Sequence, residues 1–164
     1  MARVFVTVGT TEFDKLVRTV TSSEMLRTLS SRGYGEMVLQ IGSGETEPTS
    51  GTAEGVMVRW FRSKPSIADD IAAADLVIGH AGAGTCLETL RAKKPLVVVT
   101  NSDLMGNHQA ELAERLAAGG HLLHCSCQTL GDTLAHMELS RLKPLPPGDP
   151  RPFARHLERA LGFS

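Results

Sequence analysis

"VIGHAGAGTCLETL", residues 77–90, runs from an apolar stretch through glycines at 79, 82 and 84 into a helical pattern marked by Leu87 and Leu90. The first backbone N–H groups of a helix have no partner inside it. Together with the helix dipole they form an anion site, which glycines allow a phosphate to approach closely. Gly82, Gly84 and Thr85 stand where that geometry arises. The spacing from Gly79 to Gly84 is that of a P-loop, but Thr85 follows where a P-loop needs lysine, so an NTPase is disfavoured. The dinucleotide fingerprint also fails. Its third glycine is missing, and the turn follows the fourth predicted strand, not the first. The alternative reading is a tight strand-to-helix turn that serves packing alone.

On either side of this stretch, short apolar runs, most of them β-branched, recur at Arg3–Val8, Glu36–Ile41, Val56–Trp60, Leu76–Gly79, Leu96–Thr100 and His121–Cys125. They are near-continuous rather than alternating, as strands covered on both faces are. Helical patterns lie between them. Phe13, Leu16, Val17 and Val20 repeat at i, i+3, i+4, i+7, and Met25, Leu26 and Leu29 follow a "TSS" break that offers an N-cap. Ile67, Ile71 and Ala74 mark a short helix, and Ala110, Ala113 and Ala117 another that Gly119-Gly120 stops. Strands alternating with helices predict an α/β, Rossmann-like doubly wound parallel sheet, whose ligand lies outside the carboxyl ends of the strands where strand order reverses.

Two segments break this rhythm. Gly42–Gly55, "GSGETEPTSGTAEG", has no large apolar residue and reads as a mobile loop, or as a glycine-rich loop that closes over a ligand. Leu142–Pro152 carries five of the eight prolines and is extended and semi-rigid. It leads to a final helix, Phe153–Leu161, with Phe153, Leu157, Ala160 and Leu161 on one stripe. The expected organisation is an α/β domain over residues 1–141, then a connection and a final helix over 142–164 that packs either on this domain or on another chain.

Other polar groups gather at the same strand ends. Glu88, about one turn into the helix, could accept hydrogen bonds from a pair of ribose hydroxyls, or could be a helix-face charge favoured by the dipole. His80 could donate to a phosphate, carry a proton, or simply bond to backbone. Asn107, His108 and Gln109 begin the next helix after a strand. They offer the mixed donors and acceptors that sugar hydroxyls need, although Asn107 is also a good N-cap. Gly9, Thr10 and Thr11 open a helix after the first strand and bring further donors to the same crevice. The chain has no D-x-D, so a diphosphate bridged to aspartates by a metal is not supported.

The 17 basic and 18 acidic residues leave a net charge of −1, and no electrostatic footprint for nucleic acid or anionic lipid. No apolar run approaches the ~20 residues of a spanning helix, and the three cysteines lack a disulfide framework, so a cytosolic chain is expected. "HLLHCSC", residues 121–127, lacks zinc-site spacing, and no metal is expected. Trp60 and Phe61 read as core or edge packing, or as an apolar wall for a base.

The stretches "VFVTVGTTEFDKL", "ADLVIGHAGAGTCLETLRAKKPLVVV" and "NHQAELAERL", in this order, resemble the donor-binding half of the GT-B glycosyltransferases. Within them the chain is similar to the family of small catalytic subunits of the eukaryotic N-acetylglucosaminyldiphosphodolichol N-acetylglucosaminyltransferases, related to the C-terminal domain of bacterial MurG. The resemblance covers nearly the whole chain. It implies an enzyme that moves GlcNAc from UDP-GlcNAc to dolichyl-diphosphate-GlcNAc, inverting and metal-independent, with no cofactor. The step belongs to lipid-linked oligosaccharide assembly for N-glycosylation at the cytosolic face of the endoplasmic reticulum.

The resemblance assigns Gly82, Gly84 and Thr85 to the donor diphosphate with His80 at its edge, Glu88 to the ribose, and Asn107, His108 and Gln109 to the sugar. It puts Gly9, Thr10 and Thr11 on the interdomain cleft and Phe61 and Arg62 near the uracil wall. Gly79 departs from the family, which often has serine there. His80 and His108 are the general-base candidates, beside a residue of the partner. The chain would need a membrane-anchored subunit that supplies the acceptor domain and docks on the C-terminal helix. The rival reading is a non-catalytic nucleotide-sugar-binding or scaffold paralogue.

Overall fold

The computed structural model describes residues 2–100 and 108–144, with side chains of the second stretch from Glu111 onward. Its strands are β1 (Ala2–Thr7), β2 (Tyr34–Gln40), β3 (Gly51–Ala53), β4 (Val56–Phe61), β5 (Leu76–His80), β6 (Leu96–Thr100) and β7 (Leu123–Ser126). Its helices are α1 (Asp14–Val20), α2 (Ser23–Ser31), α3 (Ala68–Ala73), α4 (Ala83–Arg91), α5 (His108–Ala118) and α6 (Leu130–His136), followed by a 3-10 turn at Leu139–Arg141. The sheet order is β3-β4-β2-β1-β5-β6-β7, with every pairing parallel except that of β3 on β4. Without that edge strand, the order of parallel strands is the doubly wound 3-2-1-4-5-6, which reverses between β1 and β5.

Alternation along each strand builds a core on either face of the sheet. Val4, Val6, Val8, Met37, Leu39 and Ile78 pack against α1, α2 and α6 through Leu16, Leu26 and Leu134. Phe5, Val38, Val77, Leu96 and Val98 pack against α3, α4 and α5 through Ile71, Cys86, Leu90 and Leu112. The strands β1, β2, β5 and β6 are covered on both sides, as the continuous apolar runs predicted. Strand β4 instead alternates buried and exposed residues, with Met57 in solvent, and β7 is mostly half-buried, as befits strands toward the sheet edges. Ser22 caps α2 by accepting from the Met25 N–H at 3.2 Å, as the "TSS" break foretold.

The structure corrects the sequence reading in two places. The stretch Gly42–Gly55 is not a free loop: it contains β3, and side chains from two other elements pin it. The Asp14 carboxylate accepts from the amides of Glu45 (3.2 Å) and Thr46 (3.1 Å). Arg62 donates to the carbonyls of Gly42 (3.3 Å) and Gly44 (2.8 Å) and pairs with Glu47 at 3.2 Å. Polar and small residues here mark a loop held by hydrogen bonds instead of apolar burial. The second correction is α6, which the sequence reading left out. Leu130, Leu134 and Met137 bury one short stripe, but seven helical residues carry too little periodicity to stand out. The proposed Phe153–Leu161 helix, most of the Pro-rich connection and Asn107 lie outside the described residues.

Candidate functional site

The reversal of strand order puts the chain after β1 beside the chain after β5. Both expected anion turns, Gly9–Thr11 and Gly82–Thr85, therefore open on one crevice. Gly82 is the N-cap of α4, and its carbonyl accepts the first helical bond, from the Cys86 N–H at 3.0 Å. No side chain caps this end. The amides of Ala83, Gly84 and Thr85 consequently lack an intrahelical partner, and the positive end of the α4 dipole points out of the sheet with them.

The three glycines of the turn have different work. A Cβ on Gly79 would meet Thr85 Cγ2 at 3.7 Å and Leu96 Cδ1 at 3.8 Å, both ordinary contacts, so this position tolerates a side chain. A Cβ on Gly82 would collide with the His80 imidazole, whereas one on Gly84 would meet nothing within 4 Å. Gly84 is exposed and is the position from which an incoming group meets bare backbone.

His80, the last residue of β5, wedges its ring between the two turns. Its Cε1 lies 3.0 Å from the place a Cβ on Gly9 would take. Nδ1 is buried with no hydrogen-bond partner. Burial pushes the imidazole pKa down from 6.5, and the Thr7 backbone opposes this only in part, since it makes no well-formed hydrogen bond to the ring. His80 is therefore neutral near pH 7.

The turn after β1 differs from its sequence reading: Gly9–Thr11 do not open a helix, because α1 begins only at Asp14 with Phe13 at its N-cap, and the turn is instead committed to internal hydrogen bonds. Gly9 adopts φ +66°, in the left-handed region, and its N–H is turned inward onto Thr7 Oγ1 at 3.0 Å. The Thr11 hydroxyl donates to the Val8 carbonyl at 2.9 Å, and its own carbonyl accepts the Ser43 N–H at 3.1 Å. Thr10 is exposed. The crevice thus takes its donors from the amides beyond Gly9 and from the Thr10 hydroxyl.

Glu88 lies on the exposed face of α4 and forms no ion pair among the described residues, so its carboxylate is available to a ligand. His108 and Gln109 open α5 after β6, on the same side of the sheet. Phe61 turns into the core, stacked on Phe5 with centroids 6.3 Å apart, and Lys64 Nζ sits 4.1 Å from its ring centroid. Trp60 packs against the other core, with the Arg62 guanidinium 5.9 Å from its ring.

In "HLLHCSC", His121 Nδ1 is 3.0 Å from the Lys143 carbonyl and His124 Nε2 is 3.3 Å from Thr100 Oγ1. Two surface hollows, one among Lys93, Lys94, His121 and Lys143 and the other beside Ala117, Leu123 and Met137, lie at the amino-terminal ends of β6 and β7, away from the crevice.

Sequence reasoning missed three residues that organise this crevice, Thr7, Gln40 and Asp14, and it named Arg62 only for a uracil wall, not for the hold on Gly42 and Gly44 that it has here. For Thr7 and Gln40 a signal existed, because each interrupts an apolar strand with a buried polar side chain. Asp14 and Arg62 reach partners about 30 and 20 residues away in sequence, and no local pattern announces that.

A doubly wound parallel sheet with an uncapped helix start at its reversal point defines an α/β protein of the Rossmann-like class. The chain belongs to the glycosyltransferase family 28 C-terminal domain, whose family model matches residues 3–159. It is 51% identical over 130 residues to the UDP-N-acetylglucosamine transferase subunit ALG13 of Homo sapiens, which covers 79% of this chain and 11% of that protein. The chain thus spans about a ninth of the length of that relative. Among solved structures, the NMR structure of ALG13 superposes with a TM-score of 0.71 at 27% identity, covering 95% of this chain and 94% of that one. MurG of Acinetobacter baumannii shares the fold, with a TM-score of 0.60 at 18% identity over 85% of this chain and 42% of its own. The α/β, doubly wound fold is thus shared with these glycosyltransferases.

Proposed function

We propose that the chain is the donor-binding, catalytic subunit of a transferase that moves GlcNAc from UDP-GlcNAc to dolichyl-diphosphate-GlcNAc. The observation that carries this reading is the pair of turns, Gly9–Thr11 and Gly82–Thr85, facing one crevice at the reversal of the sheet, with the amides at the start of α4 uncapped. Family membership and the printed name of the human relative support the donor's identity.

In this reading the diphosphate rests on the amides of Ala83, Gly84 and Thr85, and Glu88 accepts from the ribose hydroxyls. Asn107, His108 and Gln109 contact the sugar. The acceptor hydroxyl oxygen forms a bond to the anomeric carbon from the face opposite UDP, while the bond from that carbon to the diphosphate oxygen breaks, so configuration inverts. The helix terminus stabilises the charge that develops on UDP without a metal, and fixed donors suit this because they need no reorganisation. The acceptor proton passes to a base: His80, which is in the neutral form a base needs, His108, or a group of the partner.

Among the described residues no helix is long and apolar enough to cross a membrane. The acceptor half and the membrane anchor belong, in this proposal, to a partner that docks on the C-terminal segment at the cytosolic face of the endoplasmic reticulum. Calorimetric titration with UDP-GlcNAc and with its 2′-deoxyribose analogue tests the site. Wild type should prefer the ribose form by about tenfold or more, and Glu88→Ala should abolish the preference, because the carboxylate is its source. An equal preference in both proteins would remove Glu88 from the ribose. Turnover with the membrane partner separates an enzyme from a scaffold paralogue.

A further inference from the structure

Thr7 and Gln40 are adjacent across the sheet, in register on β1 and β2, and both are buried in a layer that is otherwise apolar. The same row continues to Gly79 on β5, directly beneath the start of α4, where the Thr85 methyl packs. Burying a hydroxyl and an amide is costly unless each satisfies the other. Valine has nearly the same shape as threonine and occupies three other positions of "VFVTV" without penalty. Packing therefore does not explain Thr7.

The hydrogen bonds do. Thr7 Oγ1 donates its proton to Gln40 Oε1 at 2.5 Å and accepts the Gly9 N–H at 3.0 Å. The chain Gly9 N–H to Thr7 O–H to Gln40 C=O has one polarity, because the Gln40 oxygen can only accept. Gly9 is the first residue beyond the parallel ladder, since the Val8 N–H still donates to the Gln40 carbonyl at 3.2 Å. Held from below by Thr7 and flanked by the His80 ring, Gly9 keeps its left-handed conformation, and this fixes where Thr10 and Thr11 emerge.

We propose that Thr7 and Gln40 are positioning residues for the donor crevice: their buried hydrogen bond clamps the Gly9 amide and sets the turn after β1 in the place where it meets the ligand. The inference rests on the reading of this crevice as the UDP-GlcNAc site. Preorganisation is its energetic content, since a turn already in place costs no ordering when the diphosphate arrives.

The test combines amide hydrogen exchange at Gly9 with calorimetric titration of UDP-GlcNAc, using the full chain as wild type, Thr7→Val, Thr7→Ser and Gln40→Met. Thr7→Val should speed Gly9 exchange and weaken donor binding, each by about tenfold, and Thr7→Ser should restore both because it returns the hydroxyl. If Thr7→Val lowers only the unfolding temperature, leaving Gly9 protection and donor affinity at wild-type values, the pair is structural and the proposal falls. If wild type itself binds no UDP-GlcNAc, the donor reading fails separately. Gly9 exchange then decides the clamp, and unchanged protection in Thr7→Val overturns it. Gln40→Met removes the acceptor without touching β1 and gives the same two readouts should Thr7→Val not fold.

Discussion

The imidazole of His80 fills the space that a side chain on residue 82 would need: a Cβ built on Gly82 meets His80 Cε1 at 2.8 Å, and Nε2 is closer still. Two residues along, a Cβ on Gly84 meets nothing within 4 Å. One glycine serves the protein's own packing, and the other is free to serve a ligand. Gly82→Ala should therefore cost about 1–3 kcal/mol of stability, because the ring is held between two turns and cannot swing aside without disturbing Gly9. Gly84→Ala should leave stability unchanged or raise it by up to ~1 kcal/mol, since alanine suits a helix better, while weakening UDP-GlcNAc binding. Chemical unfolding and donor titration of the two variants should give opposite orders of damage. The same order in both measurements would mean that Gly84 also serves packing.

Asp14 performs for residues 45 and 46 what an N-cap performs for a helix, with one carboxylate accepting two backbone amides of a segment remote in sequence. Asp14→Ala should cost about 1–2 kcal/mol, in the range of a lost cap, and release the strand-end loop. Hydrogen exchange provides the check. The amides of Glu45 and Thr46 should lose protection in the variant, while those of β1 and β5 keep theirs. Uniform loss across the sheet would show that Asp14 supports the whole fold, not this loop.

The fold was legible because its signal is repeated. Six strands each announced themselves through apolar residues such as Val4–Val6 and Val97–Val99, and glycines or prolines bounded most of the helices between them. The candidate site was legible where it coincides with chain-local chemistry, as in the uncapped helix start at Gly82–Thr85. What escaped was long-range. That Arg62 would reach Gly44, or that Thr7 would meet Gln40, depends on strand order, which period and propensity do not encode. The short helix α6 was lost for a related reason: it is held by packing on α2 and β7 rather than by its own periodicity.

Burial raises the thiol of Cys86 to about 12 and that of Cys125 to about 11, with desolvation of the thiolate as the leading cause in each. Both should stay protonated and unreactive at pH 8 in the folded chain. Iodoacetamide labelling read by mass spectrometry should modify neither until denaturant is added. The same shifts imply that stability falls as pH rises above about 9, because the unfolded chain then releases thiol protons that the folded chain keeps. Rapid native labelling of Cys86 would mean that α4 opens locally, contrary to a site built on a rigid helix start.

His80 should give the chain an acid-side stability slope. Its pKa is depressed below 6.5 in the folded state, chiefly by burial, so between that lowered value and 6.5 the unfolded chain binds a proton that the folded chain refuses. Stability rises with pH wherever the unfolded state binds more protons. This contribution is therefore fully present above about pH 6.5 and is lost progressively as pH falls through the window, by at most ~1.4 kcal/mol per pH unit for one proton. Urea unfolding from pH 5 to pH 8 should show the slope in wild type and a shallower one in His80→Gln. Equal slopes would mean that the ring titrates as if in water and is not held between Gly9 and Gly82. Donor binding gives an independent reading of the same group. A diphosphate placed at the edge of His80 would draw its pKa back up, so titration of UDP-GlcNAc just below pH 6.5 should take up protons, seen as a binding heat that changes with the ionisation enthalpy of the buffer. Binding with no proton uptake would put the diphosphate out of reach of His80 and leave the ring only as the wedge that sets the two turns.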